Sequence, residues 1–295
     1  LRLYRRMPGV APACELGSRV VARHRPLFPR VPRWLWGASV ERPTWYLSRN
    51  LFVRAIALVY LCAFVSLGPQ LPGLIGANGI LPAGDLLDAA ARLPAPERYL
   101  QVPTLCWLAP GDAFLRFLWM AGAGCSLLAL LGFAAGPSLL LCWLFYLSLT
   151  AVGRDFLPFQ WDALLLETGL LAAFFAPWTL APGSWRRRRP SAALGAMLRW
   201  LLFRLMFSSG VVKLASGDPT WWSLSALQVH FETQPLPTWP GWYAHQLPLA
   251  FLRVGTAMMF GVELVLPFLI FLPRRPRLVA FTGILLRLTL RSQPA

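Results

Sequence analysis

The chain has 295 residues, of which 57% are hydrophobic and only 14% are charged, and its mean hydropathy is +0.54. A typical soluble domain carries about 25% charged residues, so this composition argues against a soluble globular protein. The formal net charge of +16 does not indicate a nucleic-acid-binding protein, because the basic residues lie between apolar runs rather than on one basic face. We therefore expect an all-α, polytopic transmembrane helix bundle whose partner is the lipid bilayer.

The apolar runs follow a basic N-terminal segment, residues 1–50, which carries ten arginines. A helix needs about 20 mostly apolar residues to cross the hydrocarbon layer. By that length the sequence predicts a bundle over residues 51–290 with six spans, a shorter seventh and a short tail at 291–295. The spans lie near 51–68, 114–133, 137–153, 157–179, 197–215 and 248–272, and the seventh near 278–290.

The arginines predict the orientation of these spans, because positive charge in short loops marks the cytoplasmic side. They cluster in the N-terminal segment, at 186–189 and at 274–277. Alternate crossings place all three clusters inside. The same count places two long loops, 69–113 and 216–247, outside, and we expect both loops to be structured.

Cysteine and histidine patterns indicate neither disulfides nor a metal. The five cysteines are scattered with no Cys-x-x-Cys spacing. His230, Glu232 and His245 share the second external loop, and a His-x-Glu pair can suggest metal or acid-base chemistry. Zinc takes three or four ligands in recognisable spacings, which this loop lacks, so hydrogen bonds that fix the loop are favoured. We expect no metal and no cofactor.

Ionisable groups within the apolar runs are costly and need partners, and four of them are candidates for an intramembrane charge network. They are Asp162, Glu167, Arg204 and Lys213. Five positions separate Asp162 from Glu167, about 140° on a helix, so the two carboxylates do not form one paired site. A carboxylate here could serve a proton or substrate site, could pair with Arg204 on another helix, or, for Asp162, could lie near the outer membrane surface.

Six segments resemble the lipase maturation factor family. They are Gly76–Pro82, Phe159–Gly169, Arg199–Leu214, Gly217–Trp222, His230–Pro237 and Trp242–Gln246. The resemblance runs from about residue 50 to residue 285. It implies an endoplasmic-reticulum membrane protein that helps homodimeric secreted lipases to reach their active fold, and bacterial relatives are also known. Family members continue into a large soluble lumenal domain that is implicated in client binding, and we expect this chain to lack it.

The family is distantly similar to the membrane bundle of vitamin K-dependent carboxylase, and this similarity leaves two interpretations of Lys213 open. In those carboxylases a lysine in a similar Gly-x-x-Lys-Leu position acts as a base, which would make Lys213 catalytic with Glu167 and Asp162 nearby. Alternatively, Lys213 ends its helix and extends its ammonium to the outer interface.

Candidate contacts with a client lie in the second external loop. They are Trp221, Trp222, His230, Glu232, Trp242 and His245. The aromatic residues could equally form an interfacial belt, because Trp and Tyr favour the headgroup level.

The sequence therefore favours a membrane-embedded, non-enzymatic maturation factor for secreted lipases or other secreted clients. The alternatives are a carboxylase-like membrane enzyme and, more weakly, a small-molecule transporter. We expect the endoplasmic-reticulum membrane in a eukaryote and the inner membrane in a bacterium.

Overall fold

A computed structural model describes residues 44–109, 111–180, 189–233 and 239–291, and every regular element in these ranges is a helix. This confirms the predicted all-α class. Most of the basic N-terminal segment, Arg186 to Arg188 and the tail from residue 292 lie outside the described residues. Contacts divide the chain into two compact units, which we describe separately. The first unit covers residues 43–201, and the second contains residues 202–295.

The first unit is built on a four-helix bundle. Its helices are α1 (Tyr46–Leu67), α2 (Leu71–Leu74), α3 (Ala83–Ala90), α4 (Ala95–Gln101), α5 (Asp112–Leu131), α6 (Ala135–Val152) and α7 (Gln160–Phe175). Helix α5 packs between α1 and α6, and α7 packs against α6 and back against α1, which closes the bundle.

Glycines allow the aromatic core of this bundle to form. A Cβ on Gly122 of α5 would come within 2.4 Å of the Phe64 ring, and one on Gly169 of α7 would come within 1.9 Å of the Tyr60 hydroxyl. Both aromatic side chains are fully buried. Small residues that let helices approach closely are the usual means of packing in a bilayer, where no hydrophobic effect drives helices together.

The loop at 69–113, which the charge rule predicts to be external, folds back onto the bundle. Thr104 Oγ1 donates to the carbonyl of Ser148 on α6 at 2.9 Å, and the Leu105 amide donates to Ser148 Oγ at 3.1 Å. Cys106 is buried next to this contact, and its burial raises the pKa of its thiol. The prediction that this loop is structured is therefore confirmed.

The second unit begins within a long helix that starts in the first unit. Its helices are α8 (Ala192–Ala215), α9 (Pro219–Trp222), α10 (Ala226–Thr233), α11 (Trp239–His245), α12 (Leu249–Phe260), a π-helical turn (Gly261–Val265), α13 (Leu266–Leu269) and α14 (Arg274–Arg291). The π turn joins α12 and α13 into one 21-residue span. Helix α10 packs on α12 and α11 packs on α10, whereas α14 packs on α13.

Five of the predicted spans have helices that are long and apolar enough to cross a bilayer. They are α1, α5, α6, α8 and the α12–α13 span. The predicted span at 157–179 contains the 16-residue α7, which extends about 24 Å and is shorter than the hydrocarbon layer of about 30 Å. The shorter seventh span, at 278–290, lies within α14, which does not reach the same apolarity.

The orientation rule requires α7 to cross despite its length, and cysteine labelling tests this. In a cysteine-free variant, Arg189→Cys precedes α8 and Gln246→Cys precedes α12, so the two positions lie on opposite sides of the membrane. If α7 crosses, an impermeant maleimide added to intact cells should label Gln246→Cys and leave Arg189→Cys unlabelled until the membrane is permeabilised. The reverse pattern would mean that α7 stays on one side and that the charge rule fails here.

Candidate functional site

A polar cluster in the second unit is centred on an ion pair between Lys213 and Glu263. Lys213 lies in the last turn of α8, and its Nζ is 2.6 Å from Glu263 Oε1. The ammonium also donates to Ser209 Oγ at 2.9 Å and to the Ser209 carbonyl at 3.1 Å. An ammonium has three N–H donors, so these contacts are enough to satisfy it. The Glu263 side chain is fully buried, and that of Lys213 is 17% exposed.

Two local features bring the carboxylate to the ammonium. Glu263 lies in the π turn, a rare wide turn that is found frequently at functional sites. On the facing helix, a Cβ on Gly210 would come within 2.6 Å of the Leu264 side chain and 3.1 Å of the Glu263 Cβ. Glycine at this position therefore lets α8 approach the π turn closely. Ser209 Oγ completes the contact by donating to Glu263 Oε1 at 3.1 Å.

Trp221 contacts the other side of the ammonium. Lys213 Nζ lies 5.7 Å from the centre of the Trp221 ring, within the range of a cation–π interaction. The same ring meets Phe260, the last residue of α12, at a centroid distance of 6.1 Å. Trp221 is thus part of the packed cluster, whereas the neighbouring Trp222 is 68% exposed.

The interpretation of Lys213 as a lysine that extends to the outer interface did not include this partner, a fully buried carboxylate. Sequence reasoning did not select Glu263 as its partner. A signal was present, since Glu263 is the single charged residue between Arg253 and Arg274.

In the first unit, Asp162 is buried at the start of α7. The Tyr146 hydroxyl of α6 donates to Asp162 Oδ1 at 2.5 Å, and the Tyr146 ring packs edge-on against Tyr60 and Phe64. Asp162 is 4% exposed, and no hydrogen-bond partner for its Oδ2 is present among the described residues. Glu167, one and a half turns later, is exposed, so the two carboxylates do not share a site.

The structure divides the four predicted intramembrane charges between the two units. Asp162 and Glu167 lie in the first unit, and Arg204 and Lys213 lie in the second. Asp162 has Tyr146 as its partner, and Lys213 has Glu263. A pairing of Glu167 with Arg204 stays a prediction.

In the described part of the loop at 216–247, short helices contact one another through weak polar interactions. His245 Nε2 on α11 lies 3.8 Å from Glu232 Oε1 on α10, and the exposed His230 has its ring near that of Phe231. Among the described residues, no three His, Cys, Asp or Glu side chains lie close enough to hold a metal ion. Residues 234–238, with Pro235 and Pro237, fall outside the described ranges.

Helix α11 presents an aromatic face outward. Trp239, Trp242 and Tyr243 recur at positions i, i+3 and i+4 and are 78%, 60% and 63% exposed. Their rings contact one another, with centroids 6.3 Å apart for Trp239 and Tyr243 and 5.1 Å apart for Trp242 and Tyr243. The helix therefore exposes the residues that a soluble helix would bury.

Comparison with known proteins supplies the family. Residues 47–290 match the lipase maturation factor transmembrane domain. The chain is 48% identical to lipase maturation factor 2 of Gallus gallus and 44% identical to that of Homo sapiens, over 79% and 80% of this chain. It is 35% identical to lipase maturation factor 1 of Bos taurus over 81% of this chain. It covers only 34%, 35% and 44% of those three relatives, respectively. No solved structure matches. These matches show that the chain is an integral membrane protein that belongs to the lipase maturation factor family.

Proposed function

We propose that this chain is the membrane part of a maturation factor that assists the folding and assembly of secreted client proteins, with lipases as the first candidates. Its site of action would be the endoplasmic-reticulum membrane in a eukaryote and the inner membrane in a bacterium. The family names of its relatives support this proposal. The chain spans about a third of the lipase maturation factor 2 relatives, so client recognition is part of the proposal.

The observation that carries the proposal is the set of contacts that Lys213 Nζ makes. A general base needs a neutral amine with a free lone pair within reach of a substrate proton. The Lys213 Nζ instead contacts Glu263 Oε1, the Ser209 hydroxyl and carbonyl, and the Trp221 ring, so the protein's own groups occupy its surroundings. These contacts support a structural role for Lys213 and count against the carboxylase-like alternative.

The outward face of α11 is the best candidate for client contact. Trp and Tyr offer large, rigid contact areas and dominate many protein interfaces. Trp239, Trp242 and Tyr243 form one connected aromatic patch, which we call the α11 patch, in a loop that the charge rule places outside. An unfolded secreted client would be present on that side of the membrane.

The first prediction separates a structural lysine from a catalytic one. Lys213→Met leaves the Glu263 carboxylate buried without its counterion and should destabilise the protein by about 3 to 5 kcal/mol. Lys213→Met/Glu263→Leu removes both charges and should recover most of the folded yield in detergent, measured by size-exclusion chromatography and thermal unfolding. Secretion of an active, co-expressed homodimeric lipase should follow the folded yield, so the double variant should return to within about threefold of the wild type.

The reciprocal variant provides the control. Glu263→Leu alone leaves the Lys213 ammonium without its counterion. This variant should lose folded yield as Lys213→Met does, since each single change leaves one unpaired buried charge. A double variant that folds and inserts normally yet loses lipase maturation by about 10²-fold or more would identify Lys213 as a base and overturn the proposal.

The second prediction concerns the α11 patch. Trp242→Ala/Tyr243→Ala should lower the yield of active secreted lipase by at least about tenfold, because truncated aromatic anchors often cost 2 kcal/mol or more of binding. Expression and membrane insertion should be unchanged, because both side chains are exposed.

Trp161→Ala is the matched control for that variant. Trp161 is 66% exposed, stacks on Phe159 and lies at the start of α7, which the predicted orientation also places at the outer surface. Equal losses for Trp161→Ala and the α11 variant would indicate a general interfacial belt and contradict a client contact by α11.

A further inference from the structure

The contacts between the segment 203–227 and the α12–α13 span form a continuous antiparallel register. Phe203 meets Phe271 and Phe268, and Phe207 meets Phe268, at centroid distances of 5.1 to 5.4 Å. Beyond them, Lys213 meets Glu263 and Trp221 meets Phe260. Finally, Leu227 lies against Gly255, where an added Cβ would come within 2.8 Å of the leucine side chain. As residue numbers rise from 203 to 227 in one segment, the numbers of the contacted residues fall from 271 to 255 in the other, which is an antiparallel arrangement.

Two arginines flank the α12–α13 span, and their positions indicate how deep in the membrane each of these contacts lies. Arg253 and Arg274 are both exposed and bound a run of 20 residues without any charge except that of Glu263. Residues 254–269 of this run are helical and extend about 24 Å, and the chain then turns at 270–273 before Arg274. Glu263 lies ten residues after Arg253, which is about 15 Å along the helix and half of the hydrocarbon thickness of about 30 Å. The Lys213–Glu263 pair is therefore near the bilayer midplane.

Helix α8 consequently ends near the middle of the membrane and not at its outer surface. Lys213 is level with Glu263, and α8 stops two residues later, at Ala215. In the other direction, Arg204 lies about 14 Å from the midplane, at the inner edge of the hydrocarbon layer, where a cytoplasmic arginine is expected. The rest of the crossing must come from the residues that follow α8.

The register continues through those residues. Trp221, opposite Phe260, is about 5 Å outward from the midplane, and Leu227, opposite Gly255, is about 12 Å outward. Helices α9 and α10 therefore lie beside α12 within the outer half of the hydrocarbon layer, although the charge pattern alone predicts an external loop at 216–247.

The turn between α8 and α9 therefore lies near the bilayer midplane, although its backbone is not helical and its residues are polar. Ser216, Gly217 and Asp218 are exposed, and Gly217 has a φ of +75°. Asp218 Oδ1 accepts from the amide and hydroxyl of Thr220, at 2.9 and 2.8 Å. Non-helical backbone and a carboxylate at membrane depth are tolerated where they are buried in protein or line a water-filled cavity.

We propose that the turn Ser216–Asp218 lies near the bilayer midplane and lines a water-filled vestibule that opens to the outer side, with α8, α9 and α10 together forming one interrupted span. Phe203, Phe207, Phe268 and Phe271 pack ring against ring where α8 meets the inner part of the α12–α13 span, so we place the opening of the vestibule on the outer side. Discontinuous helices that meet polar groups at mid-depth are a recurrent way to build intramembrane sites for small polar or charged ligands. The inference rests on the register and not on the proposed client function.

Cysteine scanning with a depth measurement tests this proposal. In a cysteine-free variant reconstituted into phosphatidylcholine vesicles, Ser216→Cys is compared with Val212→Cys, one turn earlier on α8, where the native side chain is 65% exposed and apolar. Gln246→Cys serves as the surface reference. Reactivity with an impermeant, charged methanethiosulfonate is measured from the outer side. Spin-label accessibility to oxygen and to a water-soluble nickel complex gives the depth of each position.

Ser216→Cys should lie inside the hydrocarbon layer, about 6 Å outward from Val212→Cys, yet should react with the charged reagent at least about tenfold faster than Val212→Cys. It should react more slowly than Gln246→Cys, because the reagent must enter the vestibule. A spin-label depth for Ser216→Cys at or beyond the headgroups would overturn the proposal by showing an external loop. An unreactive Ser216→Cys at mid-depth would overturn it by showing a dry, covered turn. If the Ser216 variant does not fold, Ser223→Cys, which the register places on the same side of the proposed vestibule, is used for the same reactivity and depth measurements.

Discussion

The ion pair between Lys213 and Glu263 organises the second unit of this protein. A fully buried carboxylate is tolerable only next to a positive charge, and neither charge could remain in the apolar interior without the other. The pair therefore constrains three elements at once, because Lys213 ends α8, Glu263 occupies the π turn and Trp221 lies in the segment between the two spans. Gly210 makes the approach possible, since any side chain there would collide with Leu264.

The first unit is held together by a different kind of contact. Its helices meet through aromatic rings from α1 and α6 that pack against one another and fill the space left by glycines on α5 and α7. The buried carboxylate in this unit, Asp162, is near the end of a helix and accepts from a tyrosine hydroxyl, not from a cation. The two units thus accommodate a buried carboxylate in two ways, one through charge neutralisation and one through a neutral hydrogen bond.

The fold class and five spans could be predicted from the sequence because apolar runs of 18 to 24 residues are a local signal. The depth of Lys213 could not be predicted in this way. Its distance from the end of α8 suggested the outer interface, whereas its position depends on the register against a helix some fifty residues later. Glu263 lay inside a predicted span, but a sequence pattern does not specify which facing residue meets it. The sequence selects the aromatic residues of the second loop as a group, but only the structure separates the packed Trp221 from the exposed Trp222.

The π turn has a further consequence for how the α12–α13 span presents its faces. A π turn contains one residue more than the α-helical turn it replaces, so each side chain beyond it is rotated by about 100° relative to an uninterrupted helix. Before the turn the span packs against α10, and after the turn it packs against α14. Loss of a single residue between Gly261 and Val265 would restore the regular helical phase and turn Pro267 and Ile270 away from their buried positions. The length of this five-residue turn is therefore as strict a requirement as the identity of the carboxylate it carries.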